Sequence, residues 1–221
     1  GVSTPHKPVP MDDAAMKQLT GRYRGGADNS VTIALRNGKL YREPLRESPT
    51  ELVHIGDGRF VCRTDDRTRK FEKQPDGNMG LIVSGPSKDD PFFTLERMKD
   101  DEHVPFEFIK SGDREAALKA YEKLRAAQPD EMAVNEQVLN TTGYELLNSG
   151  ELQQARDLLY VNMKLYPQSA NVYDSYAEAC LKLGDKREAL ANYKRASAMD
   201  PQNMNAAGIV LELEKDGVVA K

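Results

Sequence analysis

A chain of 221 residues is long enough for two modest domains, and 30% of its residues are Asp, Glu, Lys or Arg. The formal net charge of −4 argues against a nucleic-acid-binding protein, and no stretch approaches the roughly 18 apolar residues that a membrane-spanning helix needs. The two cysteines, Cys62 and Cys180, are too few for a disulfide framework. We expect both to be buried free thiols, because they occupy apolar-patterned positions.

Residues 1–14 are predicted to be a linker or disordered arm, since the first ten contain three prolines and show no periodicity. Because the chain begins with Gly1 rather than Met, we expect a signal segment or a further domain to precede it in the parent protein. The segment MDDAAMKQL is predicted to form a short helix, with Asp12 and Asp13 near its positive end.

Residues 15–98 are predicted to form a β-domain, because the apolar period there changes from helical to about two residues. Eight short runs are separated by turn residues, and Asn37-Gly38 is the strongest hairpin signal. Eight meandering strands predict an antiparallel β-barrel or a strongly curved sheet. The inward-facing candidates are apolar: Tyr23, Val31, Ile33, Leu35, Leu40, Phe60, Cys62, Phe71, Leu81, Val83, Phe93 and Leu95.

The order of short motifs in this β-domain resembles the lipocalin-like domain that follows the catalytic domain of many bacterial β-lactamase-like serine hydrolases. The residues that carry the resemblance are Gly21 and Tyr23, the run from Gly38 to Tyr41, Leu52 with Phe60, and Phe71 with Asp76 and Gly77. The resemblance implies an accessory C-terminal part of such a hydrolase, in which a helical-repeat tail can follow. It also implies a periplasmic or secreted location, while the cysteine count leaves a cytoplasmic location open.

The catalytic residues of such a hydrolase are not found in this sequence. No Ser is followed by Lys three residues later, and K-T-G is absent. The three histidines, His6, His54 and His103, show no metal-ligand spacing. We therefore predict a protein that is not an enzyme and that needs no cofactor and no metal ion.

After a charged linker at residues 99–104, a pattern recurs in which Gly is followed by Ala, a bulky apolar residue and Pro. Between the last two copies each position is repeated after 34 residues, which is typical of stacked helix–turn–helix units. The three copies are Gly112, Ala117, Tyr121 and Pro129; Gly150, Ala155, Leu159 and Pro167; and Gly184, Ala189, Tyr193 and Pro201.

This pattern resembles the tetratricopeptide repeat (TPR) over residues 105–203, with units at about 105–130, 136–169 and 170–203. The matching consensus positions are Gly143, Tyr144, Ala155, Leu159 and Pro167, then Tyr173, Ala177, Ala189, Tyr193, Ala196 and Pro201. Two departures are clear. Pro105 shortens the first helix of unit one, and four extra residues separate units one and two.

Residues 204–221 are predicted to form a capping helix and tail. Ala206, Val210 and Leu213 would cover the end of the array. Glu212, Glu214 and Lys215 would face water.

The resemblance also places a concave groove on the first helices of units two and three. Some TPR domains hold a C-terminal carboxylate there with basic residues, but the corresponding positions here are not basic: Gln137, Asn140, Thr141, Tyr144, Asn171, Asp174, Ser175 and Glu178. The predicted peptide contacts are Asn140, Tyr144, Asn171, Asp174 and Glu178. Since the two acidic residues lie four apart on one helix, we expect a ligand with at least one basic side chain.

The sequence thus predicts an α+β multidomain protein with a β-barrel or curved sheet followed by an α-solenoid. Its predicted function is protein–protein interaction or scaffolding, without nucleic acid and without a membrane span. The alternative is a β-barrel that binds a small apolar ligand. Large inward residues such as Phe60 and Phe71 argue instead for a filled interior.

Overall fold

A computed structural model describes residues 7–85 and 91–220. The chain divides into two compact units, Gly1–Val104 and Pro105–Lys221. His6 and the part of the predicted turn at residues 86–90 lie outside the described residues.

Within the described residues, the first unit has one helix and eight strands in a closed barrel, in which each strand pairs with its neighbours in sequence and the last pairs with the first. All of these pairs are antiparallel, so the predicted β-barrel is confirmed. The elements are α1 (Asp13–Leu19), β1 (Gly21–Gly26), β2 (Asn29–Arg36), β3 (Lys39–Pro44), β4 (Thr50–Gly56), β5 (Arg59–Val61), β6 (Thr68–Lys73), β7 (Met79–Ser84) and β8 (Pro91–Arg97).

Turn chemistry sets the register of the β2–β3 hairpin. Asn37 and Gly38 have φ angles of 50° and 72°, the left-handed conformation that a two-residue hairpin turn requires. Leu35 then pairs with Leu40, and Ile33 with Arg42. The strand alternation that follows places Ile33 and Leu40 in the core, each 1% exposed.

Aromatic side chains fill the barrel interior. Tyr23 and Phe60 are almost fully buried, and Phe71 packs edge-on against both, at ring-centroid distances of 5.7 and 5.5 Å. Helix α1 packs on this core through Met16, and the Tyr23 hydroxyl donates to the Leu19 carbonyl at 2.9 Å. The interior is therefore packed with side chains, as the large inward residues predict.

Most of the inward assignments are correct, but Phe93 is 44% exposed. Phe93 pairs with the buried Val83 and so keeps the inward register, but it lies beside the register shift between Val83 and Ser84, near the end of the β7–β8 pairing. Leu35 and Phe71 are only partly buried. The inward set also contains a charged residue that the sequence analysis did not include, Arg69, which is 2% exposed.

The segments at both ends of the barrel are held against it. The predicted arm overlaps α1, which begins at Asp13. Before α1, the Val9 amide donates a hydrogen bond to the carbonyl of His54 on β4 at 2.8 Å. In the predicted linker, the Arg22 guanidinium donates to the carbonyls of Lys99 and Asp100 at 2.9 and 3.0 Å. Residues 7–10 and 99–104 therefore have no helix or strand but do have defined contacts.

The second unit consists of helices within the described residues. They are α2 (Pro105–Ser111), α3 (Arg114–Ala127), α4 (Glu136–Asn148), α5 (Leu152–Leu165), α6 (Ala170–Lys182), α7 (Lys186–Met199) and α8 (Met204–Lys215), with a 3-10 turn at Met132–Val134. Three helix hairpins, α2–α3, α4–α5 and α6–α7, precede α8. As expected from Pro105, α2 has only seven residues.

The 34-residue period reflects equivalent helix starts. Asn135, Ser169 and Asn203 are the N-cap residues of α4, α6 and α8 and lie 34 residues apart. The extra residues between units one and two include the 3-10 turn, where the Val134 carbonyl accepts a hydrogen bond from the Tyr166 hydroxyl at 2.5 Å. The insertion is thus a packed part of the helical array.

Small residues allow the two helices of a hairpin to approach closely. A Cβ atom on Gly143 of α4 would lie 2.5 Å from Leu159 of α5, and the equivalent residue in α6, Ala177, is fully buried. Ala155 and Ala189 are also fully buried, as the repeat pattern predicts. The cysteines Cys62 and Cys180 are buried and free, as expected. In the described part of the chain, no helix is both long enough and apolar enough to cross a membrane.

Candidate functional site

The first helices of units two and three share a polar face at Tyr144 and Glu178. These residues occupy equivalent positions, 34 apart, on α4 and α6. The Tyr144 hydroxyl donates to Glu178 Oε2 at 2.8 Å. The repeat period therefore brings two of the five predicted groove residues into direct contact. We call the surface formed by Tyr144, Asp174 and Glu178 the acidic face.

Asp174 lies one helical turn before Glu178. Its Oδ1 atom is buried and accepts no hydrogen bond from any described residue. Burial raises the pKa of the Asp174 carboxyl, the neighbouring Asn203 side chain partly offsets this, and the negative charge of Glu178 adds to the rise. Asp174 is thus a half-buried carboxylate with a free acceptor atom and a like charge beside it.

Glu178 is better satisfied than Asp174. Besides the hydrogen bond from Tyr144, it has Lys182 one turn along α6, with Nζ 3.7 Å from Oε1. That lysine side chain is 47% exposed, so the ion pair is at the surface and weak. The strongest unmet demand for a hydrogen-bond donor on the acidic face is therefore at Asp174.

Two tyrosines line the acidic face. Burial raises the pKa of Tyr144 to about 12; the nearby Ser175 side chain opposes the rise, and the Glu178 carboxylate adds to it. Tyr193 of α7 is 2% exposed, and burial followed by the charges of Asp174 and Glu178 raises its pKa as well. Both hydroxyls stay protonated at neutral pH and can act as hydrogen-bond donors.

The other two predicted residues differ from these three. Asn140 lies one turn before Tyr144 on α4 and is 8% exposed, and its buried Oδ1 accepts no hydrogen bond from the described residues. Asn171, one turn before Asp174, is exposed. The sequence analysis missed Asn203, and its signal was the N-cap position 34 residues after Ser169.

No group of three or more His, Cys, Asp or Glu residues in the described ranges could hold a metal ion. The acidic face offers two carboxylates and the partly exposed aromatic ring of Tyr144. Such an arrangement can bind an ammonium or guanidinium group by charge and hydrogen bonding, with the ring as an apolar or cation–π contact.

No protein-family model and no curated protein matches the chain. Among solved structures, it is similar to a mutant of MamA at 21% identity, over 52% of this chain and 80% of that one, with a TM-score of 0.43. It is also similar to the first TPR of Spaghetti (RPAP3) bound to the HSP90 peptide SRMEEVD, at 18% identity over 51% and 86% of the two chains, with a TM-score of 0.37.

The TPR domain of Arabidopsis OM64 matches at 20% identity over 50% of this chain and 88% of that one, with a TM-score of 0.36. All three scores lie below 0.5. The TPR-like architecture of the second unit therefore rests on its own helix hairpins, their 34-residue period and the close approach at Gly143.

Proposed function

We propose that this chain is a protein-interaction module whose acidic face binds a peptide segment carrying at least one Lys or Arg side chain. The observation that carries the proposal is the buried Oδ1 of Asp174, which has no hydrogen-bond donor among the residues that the structure describes, while Glu178 lies one turn away. A carboxylate in this position is costly unless a cation or donor meets it. An ammonium or guanidinium group from a partner would supply both.

The electrostatics favour a cation over an anion. A C-terminal carboxylate placed on this face would meet Asp174 and Glu178, and the adjacent Lys182 already pairs with Glu178. A cation would lower the repulsion between the two carboxylates. We therefore propose binding that weakens as ionic strength rises.

Tyr144 is proposed as the aromatic anchor of the bound segment. Its hydroxyl is fixed by Glu178, so its ring is held in one orientation before a ligand arrives. Truncation of an anchoring tyrosine at an interface hot spot costs about 2 kcal/mol or more. Asn171, exposed at the start of α6, and Asn140 are proposed as flanking polar contacts.

A display library of random peptides, panned against the full chain, tests this proposal. We expect enrichment of Lys or Arg at one position of the selected peptides. Binding of a selected peptide should weaken about tenfold or more in Asp174→Asn, as expected for loss of a charge-assisted hydrogen bond. The control Glu145→Gln removes one negative charge from an exposed site on α4 and should leave binding unchanged. Selected peptides without basic enrichment, or equal affinity for Asp174→Asn, would contradict the proposal.

The barrel offers less support for the alternative of a small apolar ligand. Its interior is filled by Tyr23, Phe60 and Phe71. A pocket of about 210 Å³ lies at one end, where Pro8–Met11 meets Leu40, Leu52 and His54. Ligand pockets are usually about 300–1,000 Å³ in volume, so this one is small for a drug-sized ligand.

We also propose that the barrel is a lipocalin-like accessory domain of a bacterial serine hydrolase and that the protein is periplasmic or secreted. Support comes from the up-and-down order of its eight strands and from the motifs around Gly21, Tyr23 and Asp76. The sequence encoded before Gly1 tests the first point, since it should contain S-x-x-K. Cell fractionation with a tagged parent protein tests the second, and recovery in the cytoplasm would contradict it.

A further inference from the structure

A surface pocket of about 410 Å³ lies where repeat units one and two meet. Three segments line it: the last turn of α3 at Arg125, the start of α4 at Glu136, and the end of α5 with the turn that follows, residues 165–169. Its volume falls within the range of about 300–1,000 Å³ that is usual for ligand sites. We call it the Arg125 pocket. None of the residues that line it belongs to the acidic face.

A departure from the repeat pattern positions the aromatic ring of this pocket. The Tyr166 hydroxyl donates to the Val134 carbonyl, which fixes the end of α5 against the inserted 3-10 turn. Arg125 stacks over the Tyr166 ring, with its Cζ atom 4.4 Å from the ring centre, and donates to the Leu165 carbonyl. The ring and the guanidinium are therefore held in place before a ligand arrives.

The repeat pattern does not account for the chemistry of the pocket. The positions 34 residues after Glu136, Tyr166 and Ser169 hold different groups: Ala170, Asp200 and Asn203. Asn203 caps its own helix, α8, whereas the Ser169 hydroxyl donates to Glu136 Oε1 at 2.6 Å and makes no cap on α6. The later helices thus pack without a glutamate, an aromatic ring and a serine at these positions, so stacking alone does not require them.

The two charged side chains of the pocket have no countercharge in the described part of the chain. Arg125 forms no ion pair there, and its hydrogen bond to Leu165 leaves other guanidinium N–H groups available. Glu136 has no cationic partner either, since its carboxylate accepts only from Ser169. Both side chains are partly buried. A partly buried charge is costly without a counterion, so a ligand that supplies one is favoured.

We propose that the Arg125 pocket binds a small zwitterion, namely an α-amino acid with an apolar side chain. Its carboxylate accepts from Arg125, and its ammonium group donates to Glu136. Leu165, Tyr166 and Pro167 supply the apolar wall for its side chain. A simple anion would meet Glu136 and a simple cation would meet Arg125, so a ligand that carries both charges is selected. A peptide terminus carries only one of the two charges.

Amide NMR spectra of the full chain, recorded with three matched probes, test the proposal. L-Leucine carries both charges, isocaproate lacks the ammonium group, and isoamylamine lacks the carboxylate. We expect saturable shifts of the Gln168 and Ser169 amide signals with leucine at millimolar concentrations, and binding of the other two that is weaker by about tenfold or more. L-Valine, L-methionine and L-phenylalanine extend the test to other apolar side chains. The proposal is overturned if none of the four amino acids shifts these signals, or if isocaproate binds as tightly as leucine.

Substitutions of the two charged residues test their separate roles. Glu136→Gln should weaken leucine about tenfold but tighten isocaproate relative to wild type, because the charge that opposes the carboxylate is gone. Arg125→Gln should weaken both ligands. The controls Glu145→Gln on α4 and Lys123→Gln on α3 change exposed charges and should leave binding unchanged. Far-UV circular dichroism checks that the helices of each variant are intact. Weaker binding of both ligands to Glu136→Gln, or unchanged leucine binding to Arg125→Gln, would overturn the proposal.

Discussion

Buried charged side chains have charged partners in the barrel, whereas on the acidic face a half-buried carboxylate lies beside a like charge. In the barrel, the 2%-exposed Arg69 makes two hydrogen bonds to Asp65, at 2.9 and 2.5 Å, and buried Asp28 accepts from Arg46 at 2.6 Å. On the acidic face, Asp174 lies beside Glu178 with its Oδ1 unpaired.

The pKa values of Asp65 and Asp174 are shifted in opposite directions for this reason. Burial alone would raise the pKa of Asp65, but hydrogen bonds from Arg69 and from the Arg67 amide outweigh it, and the pKa is lowered. At Asp174, burial and a like charge prevail, and the pKa is raised. Paired buried charge stabilises the barrel, whereas the acidic face keeps a carboxylate with one unpaired oxygen, at a cost in stability that a ligand can offset.

The largest expected effect comes from breaking the barrel pair. Asp65→Asn leaves the Arg69 guanidinium buried without its carboxylate, and we expect a loss of about 3 kcal/mol in the free energy of unfolding of the barrel. Hydrogen exchange followed by mass spectrometry on peptides from residues 21–85 measures this loss separately from the helices. The neighbouring exposed Asp66 supplies the control, since Asp66→Asn should change stability by less than about 0.5 kcal/mol. Equal protection in the two variants would show that the pair does not stabilise the barrel.

A smaller effect distinguishes two glycines of the helical unit, Gly143 in its core and Gly208 on the exposed side of α8. Gly143→Ala places a Cβ atom against Leu159, and we expect a loss of about 2 kcal/mol through overpacking. Gly208→Ala meets no described atom and should stabilise α8 by up to about 1 kcal/mol. Chemical denaturation followed by the helical circular dichroism signal measures both. If Gly143→Ala stabilises the protein as Gly208→Ala is expected to do, the close approach of α4 and α5 at Gly143 is wrong.

The sequence predicts those features that depend on local chemistry and on regular spacing. Asn37-Gly38 determines a hairpin because few residue pairs tolerate two positive φ angles. The contact between Tyr144 and Glu178 follows from their 34-residue separation, because equivalent positions of successive repeats lie side by side.

Features that depend on contacts between distant or unlike residues were not predicted. Alternation places Arg69 on the same strand face as Phe71, but its burial is possible only because Asp65, in the preceding loop, pairs with it. Phe93 follows the inward alternation and pairs with buried Val83, yet it is exposed near the end of the β7–β8 pairing. Likewise, the burial of Asp174 beside Asn203 requires the following unit to be in place.

The smallest expected effect is a gain in stability, because the substitution removes a negative charge from the acidic face. Asp174→Asn should stabilise the helical unit at neutral pH by about 0.2–0.5 kcal/mol, the usual size of an i,i+4 like-charge repulsion. The folded-state pKa of Asp174 is raised above its ordinary value of 3.8, so its cost is complete only above the raised pKa and disappears as the pH falls below 3.8.

Asp65→Asn and Asp174→Asn should therefore change the stability in opposite directions, and both changes should depend on pH. The folded-state pKa of Asp65 is lowered, so the stability that Asp65→Asn removes is complete above 3.8 and is lost as the pH falls through the lowered pKa. On acidification, the deficit of Asp65→Asn and the gain of Asp174→Asn should both shrink, from opposite sides of wild type. Denaturation of both variants between neutral and acidic pH measures this, with Glu145→Gln as the control for an exposed carboxylate. If Asp174→Asn destabilises the helical unit at neutral pH, Asp174 has a structural role, and the proposed cation site loses its main support.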